Sequence, residues 1–519
     1  MGVVSVETVP EQQGQEAMSQ RHLWIILGSL MLGTALAALD GTIVSTALPT
    51  IAGKLNGFSS YAWVGTAYIL TSTIATPILG KLGDLFGRRR IMLFAIAAFT
   101  VGSLLCGISR NMPQLIAARG VQGLGGGGIQ ALTFAILGDL VSPRERGRYM
   151  GLYTGIYAAS AVIGPLVGGW MIERFAWEWI FLFNVPLAIV AFAAISTNLT
   201  VEFRRRKARI DFLGAALLSG CLGSLVLGLE RGRRGWTKAS VLALMGAAVV
   251  LLIAFLWQET RTPEPIIPLR LFTGKVFVIT SSMGFLVGTM AYGAQQFLPL
   301  QFQDANFVSP TMAGLYLSPL MLGVMAGSAV GGRLISNTGR YKFLPIFGLG
   351  LGIIGIYAVS RITPTTGFWA LSIPMLFIGT SMGATFTTTS IAMQNSIDPS
   401  DIGIGTATML SLRSLGGSLG LALYGTLFAT VVSNELPKRI PAGSLGAGVN
   451  PSTLLREPAK IKALAAPIRE GVVQAITTAT GRLFLAAVPV AILAFVLALI
   501  LPEKPLRRTS GITEAPAGH

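Results

Sequence analysis

Residues 80–90 read GKLGDLFGRRR, and residues 332–342, which follow at a constant offset of 252, read GRLISNTGRYK. Glycine, leucine, glycine and arginine recur at four matching places of the two stretches, and basic residues align at two more. The second stretch carries Ser336 where the first carries Asp84. A repeat at this distance is typical of a chain built from two related halves.

The composition of the chain indicates a membrane protein. Of its 519 residues, 52% are hydrophobic and only 12% are charged, whereas average soluble proteins carry about 25% charged residues. So few charges cannot cover the surface of a soluble protein of this length. The composition therefore excludes a soluble enzyme, a secreted disulfide scaffold and a disordered chain. The 63 glycines suit close packing of helices in lipid.

Apolar stretches along the chain predict the membrane spans. Fourteen stretches are long enough to cross a bilayer, which takes about 20 residues in a helix. They cover approximately residues 23–46, 61–79, 91–109, 113–137, 148–171, 179–199, 211–229, 239–258, 276–301, 311–332, 343–360, 368–393, 404–432 and 483–501. We therefore expect an all-α polytopic membrane protein with both ends of the chain on one side of the membrane.

Lysine and arginine predict which side that is. The segments on the side of the chain ends carry 22 basic residues, and the segments on the opposite side carry 15, of which seven lie in the long segment 433–482. Long loops weigh little in orientation, so the chain ends are expected in the cytoplasm. The net charge of +17 is then expected to face anionic lipid rather than nucleic acid.

The repeat and the spans together divide the chain into five parts. The expected parts are a cytoplasmic tail at 1–22, a six-helix half at 23–199, a linker with two extra transmembrane helices at 200–275, a second six-helix half at 276–501 with a long extracytoplasmic loop at about 433–482, and a cytoplasmic tail at 502–519. Two such halves are expected to rock about a binding site near the middle of the membrane.

The stretch 80–90 resembles the cytoplasmic loop signature of the major facilitator superfamily. Three further motifs resemble the superfamily's fourth-helix motif of proton-coupled members (RGVQGLGGG, 119–127), its fifth-helix antiporter motif (GPLVGG, 164–169) and the first-helix motif of its fourteen-span drug:proton antiporters (LDGTIVSTALP, 39–49). Ser45 and Thr46 depart from the usual residues of the first-helix motif. The resemblance covers about residues 20–501 and implies two six-helix halves plus two inserted helices, fourteen transmembrane helices in all.

The resemblance implies a multidrug efflux protein of the cell (inner) membrane. Such a secondary transporter exports small lipophilic or cationic compounds in exchange for protons, by alternating access and as a monomer, and needs no cofactor, metal or nucleic acid. The sequence agrees, since it contains no P-loop and no metal-spaced histidine and cysteine cluster. Export of a defined metabolite, antibiotic, siderophore or lipid stays open, and a polytopic membrane enzyme or receptor is a more remote alternative. An accessory partner subunit also stays open.

Asp40 and Arg119 are the candidate pair for proton coupling. Asp40 lies among apolar residues of the first span and Arg119 lies within the fourth. An ionised carboxylate in a membrane costs several kcal/mol unless it is paired, so Asp40 must take up a proton or find a cation. Arg119 cannot titrate usefully, but it can hold a carboxylate and lose that partner on protonation. A fixed, purely structural ion pair is the alternative.

The resemblance also implies a conformational latch in the cytoplasmic loops and a hinge in the fifth span. The latch residues are Gly80, Asp84, Gly87, Arg88, Arg144 and Arg146, which Asp139 is expected to join. The antiporter motif residues are Gly164, Pro165, Gly168 and Gly169. They are expected to break or kink the span and to let another helix approach closely, with ordinary packing of small residues as the alternative.

Polar and aromatic residues at the middle of several spans are candidates for binding the substrate. They are Gln130, Tyr157, Tyr292, Gln295, Gln296, Met382 and Phe386. Amides among aromatic rings and methionine suit large, planar, amphipathic compounds. Arg413 is a second arginine within a span, with no partner visible in the sequence. Cys106 and Cys221 are interpreted as small packing residues.

Overall fold

Fourteen long helices form most of the part of the chain that the structure describes. This computed structural model describes residues 20–55, 61–199, 211–232, 235–440, 461–462 and 464–506. The helices are α1 (Gln20–Lys54), α2 (Tyr61–Phe86), α3 (Arg88–Gly107), α4 (Met112–Leu140), α5 (Pro143–Arg174), α6 (Asn184–Asn198), α7 (Phe212–Gly232), α8 (Ala239–Glu259), α9 (Lys275–Asp304), α10 (Ser318–Thr338), α11 (Phe343–Ser360), α12 (Phe368–Ser396), α13 (Ile402–Arg439) and α14 (Ala466–Ile500). Short helices lie at Trp179–Leu182, Leu269–Thr273, Pro310–Leu315 and Pro399–Asp401.

Within the described residues, twelve of the helical segments are both long and apolar enough to cross a membrane. The other two long helices, α2 and α4, have 26 and 29 residues, which is enough length to span a bilayer at about 1.5 Å per residue. Their sequences are rich in glycine and hydroxyl side chains, because they pack against each other and against neighbouring helices rather than mainly against lipid. The predicted all-α polytopic fold is therefore confirmed.

The same packing scheme occurs twice in the molecule. In the first six helices, α4 packs on α2 and α3, α1 packs on α5 and α6, and α3 packs on α6. In the last six, α12 packs on α10 and α11, α9 packs on α13 and α14, and α11 packs on α14. Helices α7 and α8 pack on each other, and α7 also packs on α2 and α13. The long helices of the described residues thus form two equivalent six-helix halves and one inserted helix pair.

Small residues bring the two halves together at one end of the bundle. Helix α5 packs on α10, and by the same symmetry α13 packs on α2. A Cβ added to Gly151 of α5 would lie 2.6 Å from the Cα of Ala329, and one added to Gly80 of α2 would lie 2.5 Å from the Cβ of Ala407. Both contacts lie towards the end where α1 begins and α14 ends, which we call the terminal end.

The structure corrects the loop predicted at about 433–482. Helix α13 continues to Arg439 and α14 already begins at Ala466. Glu435 pairs with Arg439 one turn later at 3.1 Å and with Arg482 of α14 at 3.2 Å. Hydropathy identifies only the apolar part of a helix. Both helices extend past their apolar parts into polar segments, which these ion pairs connect. Residues 441–460 and 463 lie outside the described residues, as do 1–19, 200–210 and 507–519 of the predicted tails and linker.

Candidate functional site

A buried carboxylate is bound by three side chains from two other helices. Asp40 of α1 has no exposed side-chain surface. Its Oδ2 accepts a hydrogen bond from Nη1 of Arg119 at 2.5 Å, and its Oδ1 accepts bonds from Nε2 of Gln122 at 2.8 Å and Nδ2 of Asn184 at 2.9 Å. We call these four residues the carboxylate cluster. All three partners donate hydrogen bonds to the carboxylate oxygens of Asp40.

Arg119 connects the carboxylate cluster to the space between the halves. Its Nη1 also donates to Oε1 of Gln122 at 2.6 Å, and its guanidinium lies 4.4 Å from the centroid of the Tyr68 ring. Although its side chain is only 2% exposed, Arg119 lines the central cavity described below. Arg119 therefore contacts both the carboxylate of Asp40 and the central cavity.

Gln122 and Asn184 belong to the cluster but were not predicted from the sequence. Gln122 follows Arg119 by three residues, which places both on one face of α4, and its amide also donates to Oγ of Ser103 at 2.8 Å. Asn184 interrupts the apolar stretch 179–199 at the beginning of α6. An amide within each apolar stretch was the available signal, because a buried amide needs partners.

A cavity of about 520 Å³ lies between the two halves. Eight helices line it, namely α1, α2, α4, α5, α9, α10, α12 and α13. All seven substrate candidates from the sequence face this one cavity: Gln130, Tyr157, Tyr292, Gln295, Gln296, Met382 and Phe386. The lining has no residue between 75 and 86 or between 391 and 412, so the cavity stops short of the terminal end. The structure therefore brings the candidates together, in a pocket closed on that side.

Arg413 of α13 also lines the cavity. Its guanidinium lies 4.5 Å from the centroid of the Phe386 ring. Asp398 and Asp401, the nearest carboxylates along the chain, instead pair with Arg270 at 3.6 and 2.9 Å. Within the ranges that the structure describes, Arg413 has an aromatic face but no carboxylate partner.

Asp84 joins the two halves at the terminal end. Its Oδ1 accepts a hydrogen bond from Nη2 of Arg88 at 3.1 Å, and its Oδ2 accepts one from the backbone N–H of Ile404 at 2.8 Å. Ile404 lies in the first turn of α13, where unpaired N–H groups attract a carboxylate. A side chain at Gly403 would collide with this carboxylate. Asp84 therefore caps a helix of the other half, and Arg88 also pairs with Asp139.

Two other latch candidates, Gly87 and Arg146, also lie at the terminal end. Gly87 connects α2 to α3 with φ at 97°, a left-handed conformation that glycine adopts without strain. Arg146 of α5 donates from Nη1 to Oε1 of Gln394 on α12 at 3.1 Å, which is a second polar bond between the halves. The sequence did not predict Gln394. The side chain of Arg144 lies outside the described residues.

Sequence comparison assigns the family. The profile of the Major Facilitator Superfamily matches residues 30–421, which is more than half of the chain. The chain belongs to this superfamily. The resemblance inferred from the four motifs is thereby confirmed, and this major facilitator is a transporter rather than an enzyme.

Relatives of this transporter include proteins named for efflux. Multidrug resistance protein 3 of Bacillus subtilis is 31% identical over 499 residues, which are 95% of this chain and 97% of that protein. Efflux pump dotC of Dothistroma septosporum is 34% identical over 505 residues, which are 94% of this chain and 86% of that pump. The solved structure of the proton:xylose symporter XylE superposes with a TM-score of 0.60 at 12% identity, covering 93% of this chain and 96% of the symporter. At that identity the likeness shows the fold alone.

The antiporter motif of this major facilitator does not break its helix. Helix α5 runs without interruption from Pro143 to Arg174. A side chain at Gly164 would collide with Thr42 of α1, whose hydroxyl donates to the carbonyl of Ser160 at 3.2 Å. The motif positions are Gly164 and Gly168, which are buried, Gly169, which is half-buried, and Pro165, whose side chain lies outside the described residues. The motif thus lets α5 pack closely on α1 at Thr42, which follows Asp40 by two residues.

The described part of this major facilitator contains no group of three or more histidine, cysteine, aspartate or glutamate side chains placed to hold a metal ion. Cys106 and Cys221 are buried and free. Cys106 approaches Oε1 of Gln122 with its sulfur at 3.7 Å. It therefore packs beside the carboxylate cluster.

Proposed function

We propose that this transporter exports small lipophilic compounds in exchange for protons by alternating access. The observation that carries the proposal is that Arg119 belongs both to the carboxylate cluster and to the wall of the central cavity. A single side chain can therefore sense the charge of Asp40 and act on whatever occupies the cavity. The names of the efflux relatives support the direction of transport.

The proposed coupling follows from charge. While Asp40 is ionised, it holds Arg119 through an ion pair and a charge-assisted hydrogen bond. A proton arriving from outside neutralises Asp40, and Arg119 then loses the charge that holds it against α1. This loss shifts the balance between the conformations in which the halves are open on one side of the membrane or on the other. An inward-moving proton supplies about 2.3 kcal/mol for each 100 mV of membrane potential.

We place the terminal end in the cytoplasm of the cell, with the chain in the inner membrane. The excess of lysine and arginine in the short loops of that side supports this orientation. The contacts of Asp84 with α13 and of Arg146 with α12 then close the cytoplasmic side. We further propose that one chain transports alone, because a single chain supplies every helix around the cavity.

The test of this function is accumulation of a panel of lipophilic dyes and antibiotics in efflux-deficient cells. We expect cells with the transporter to retain several-fold less of at least one compound than cells without it. A protonophore should abolish that difference, because it removes the gradient that drives the exchange. A difference that persists with the protonophore would reject proton coupling, and no difference for any compound would reject multidrug efflux.

Removing the charge of Asp84 should unlatch the terminal end. The Asp84→Asn variant loses its ion pair with Arg88 and a charged acceptor for Ile404, and hydrogen bonds to charged groups contribute about 1.5–3 kcal/mol. We expect the population closed at that end to fall about tenfold or more relative to the open one, transport to slow about tenfold, and substrate affinity to change less than about threefold. Spin labels at Arg90 and Arg340, after replacement of Cys106 and Cys221, would report the opening.

Asp398→Asn is the matched control for this variant. Asp398 lies at the same end, but its side chain is 69% exposed and pairs with Arg270 rather than with the first half. Its replacement should leave the distance between the labels and the transport rate unchanged. If Asp84→Asn weakens substrate binding strongly while the label distances stay as in the native protein, Asp84 is not a latch.

A further inference from the structure

The central cavity has an uneven charge. Its lining contains two arginines, Arg119 and Arg413, and neither aspartate nor glutamate among the residues that the structure describes. Arg119 is neutralised by Asp40. Arg413 is not neutralised in this way, because its described contacts include no carboxylate and the nearest ones along the chain hold Arg270. The cavity therefore has one uncompensated positive charge when Asp40 is ionised.

Aromatic rings flank that charge on neighbouring helices. The guanidinium of Arg413 lies over the Phe386 ring, and α13 lies close against α9, since a Cβ at Gly288 would be 3.1 Å from the Cγ of Arg413. Tyr292 follows Gly288 by one turn of α9 and likewise lines the cavity. A planar group in this part of the cavity therefore has both aromatic rings and a guanidinium within its surroundings.

The donors of Arg413 lack an acceptor within the described residues. A guanidinium has five N–H donors in a fixed fork, and the face of Phe386 offers its charge an electrostatic contact but no oxygen. No hydrogen bond from Arg413 to an acceptor is formed in the described part of the chain, whereas Arg119 donates to Asp40, Gln122 and Val64. A carboxylate or phenolate oxygen is the chemistry that satisfies this fork.

We infer that the preferred substrates are aromatic or similarly planar anions, and that Arg413 binds their carboxylate or phenolate group. This inference rests on the proposed export function and specifies its substrate class. Phe386 and Tyr292 contact the planar body of the substrate. A cationic compound of the same shape is disfavoured, because it meets two arginines and no carboxylate in the lining. The cationic substrates expected from the sequence therefore fit this cavity less well than anions.

Three compounds with one ring system test the charge preference directly. They are 1-naphthoate, 1-naphthamide and 1-naphthylmethylammonium, which are anionic, neutral and cationic at pH 7. With the purified native transporter in nanodiscs, we expect naphthoate to bind at least about tenfold more tightly than the other two. Equal or tighter binding of the amide or the ammonium would overturn the inference, and so would failure of naphthoate to bind at millimolar concentration.

Variants of Arg413 test whether this residue binds the anionic group of the substrate. Arg413→Gln should remove the preference for naphthoate over naphthamide, and Arg413→Lys should retain part of it because the charge remains without the fork. The control is Arg361→Gln, since Arg361 also lies over an aromatic ring, that of Tyr357 at 5.0 Å, but does not line the cavity. Persistence of the full preference in Arg413→Gln would reject Arg413 as the binding residue.

The outcome separates this inference from the proposed function. Proton-dependent export of neutral or cationic compounds, with no preference for naphthoate, would leave the export function standing and overturn the anion preference. Tight binding of naphthoate without any proton-driven movement in proteoliposomes would support the binding site and reject the proposed function. Binding to the native protein is measured first, so the charge preference is tested even if an Arg413 variant fails to fold.

Discussion

The Asp40→Asn variant should lose uphill transport almost completely while keeping its place in the membrane and its substrate affinity. Asparagine has the shape of the protonated aspartic acid but cannot release a proton. In proteoliposomes with an imposed pH gradient, we expect export against a concentration gradient to fall at least about a hundredfold, to background. Substrate affinity should change less than about threefold, because Asp40 does not itself line the cavity. Movement of substrate down its own gradient should persist.

A second buried carboxylate offers a matched control. Asp304 is the last residue of α9, is only 3% exposed and does not line the cavity. Asp304→Asn should retain at least about half of the gradient-driven transport. If Asp40→Asn still accumulates substrate uphill in response to protons, the coupling site lies elsewhere, and Asp40 is a structural residue.

The sequence indicated how deep the important side chains lie but not which helices face each other. An aspartate and an arginine within apolar spans must find partners, so Asp40 and Arg119 could be singled out without coordinates. Gln122 and Asn184 could not be assigned to the same cluster, because nothing in the sequence states that α4 and α6 meet at Asp40. The repeat at 80–90 and 332–342 predicted the two halves because duplicated motifs reflect duplicated packing.

The contacts between the halves were the least predictable part. The motif identified Asp84 in the sequence. Its hydrogen bond with the backbone N–H of Ile404 could not be predicted, because the donor belongs to a peptide group and peptide groups occur along the whole chain. Gln394 has no motif of its own, and only the packing of α12 beside α5 reveals its bond with Arg146. Hydropathy likewise missed the last turns of α13, because ion pairs such as that of Glu435 with Arg482 extend helices beyond apolar sequence.

Replacement of Arg119 alone should destabilise the folded protein more than replacement of Arg119 and Asp40 together. Arg119→Gln leaves a buried carboxylate with two amide donors and no cation, and breaking a buried ion pair in this way costs about 3–5 kcal/mol. Asp40→Asn should cost less, since the guanidinium of Arg119 keeps Gln122, the carbonyl of Val64 and the ring of Tyr68. The double variant buries neither charge. Its free energy of unfolding in detergent should therefore lie within about 1 kcal/mol of the value for the native protein.

The same double variant separates a coupling pair from a fixed structural pair. If the pair only supports the fold, restored stability should bring back gradient-driven transport as well. If Asp40 is the proton site, the double variant should be as stable as the native protein, should bind substrate, and should still fail to export it uphill. We expect the second result, with a coupling free energy of at least about 2 kcal/mol between the two positions in the stability cycle. Recovery of proton-driven export in the double variant would establish the fixed pair and remove Asp40 from the transport mechanism.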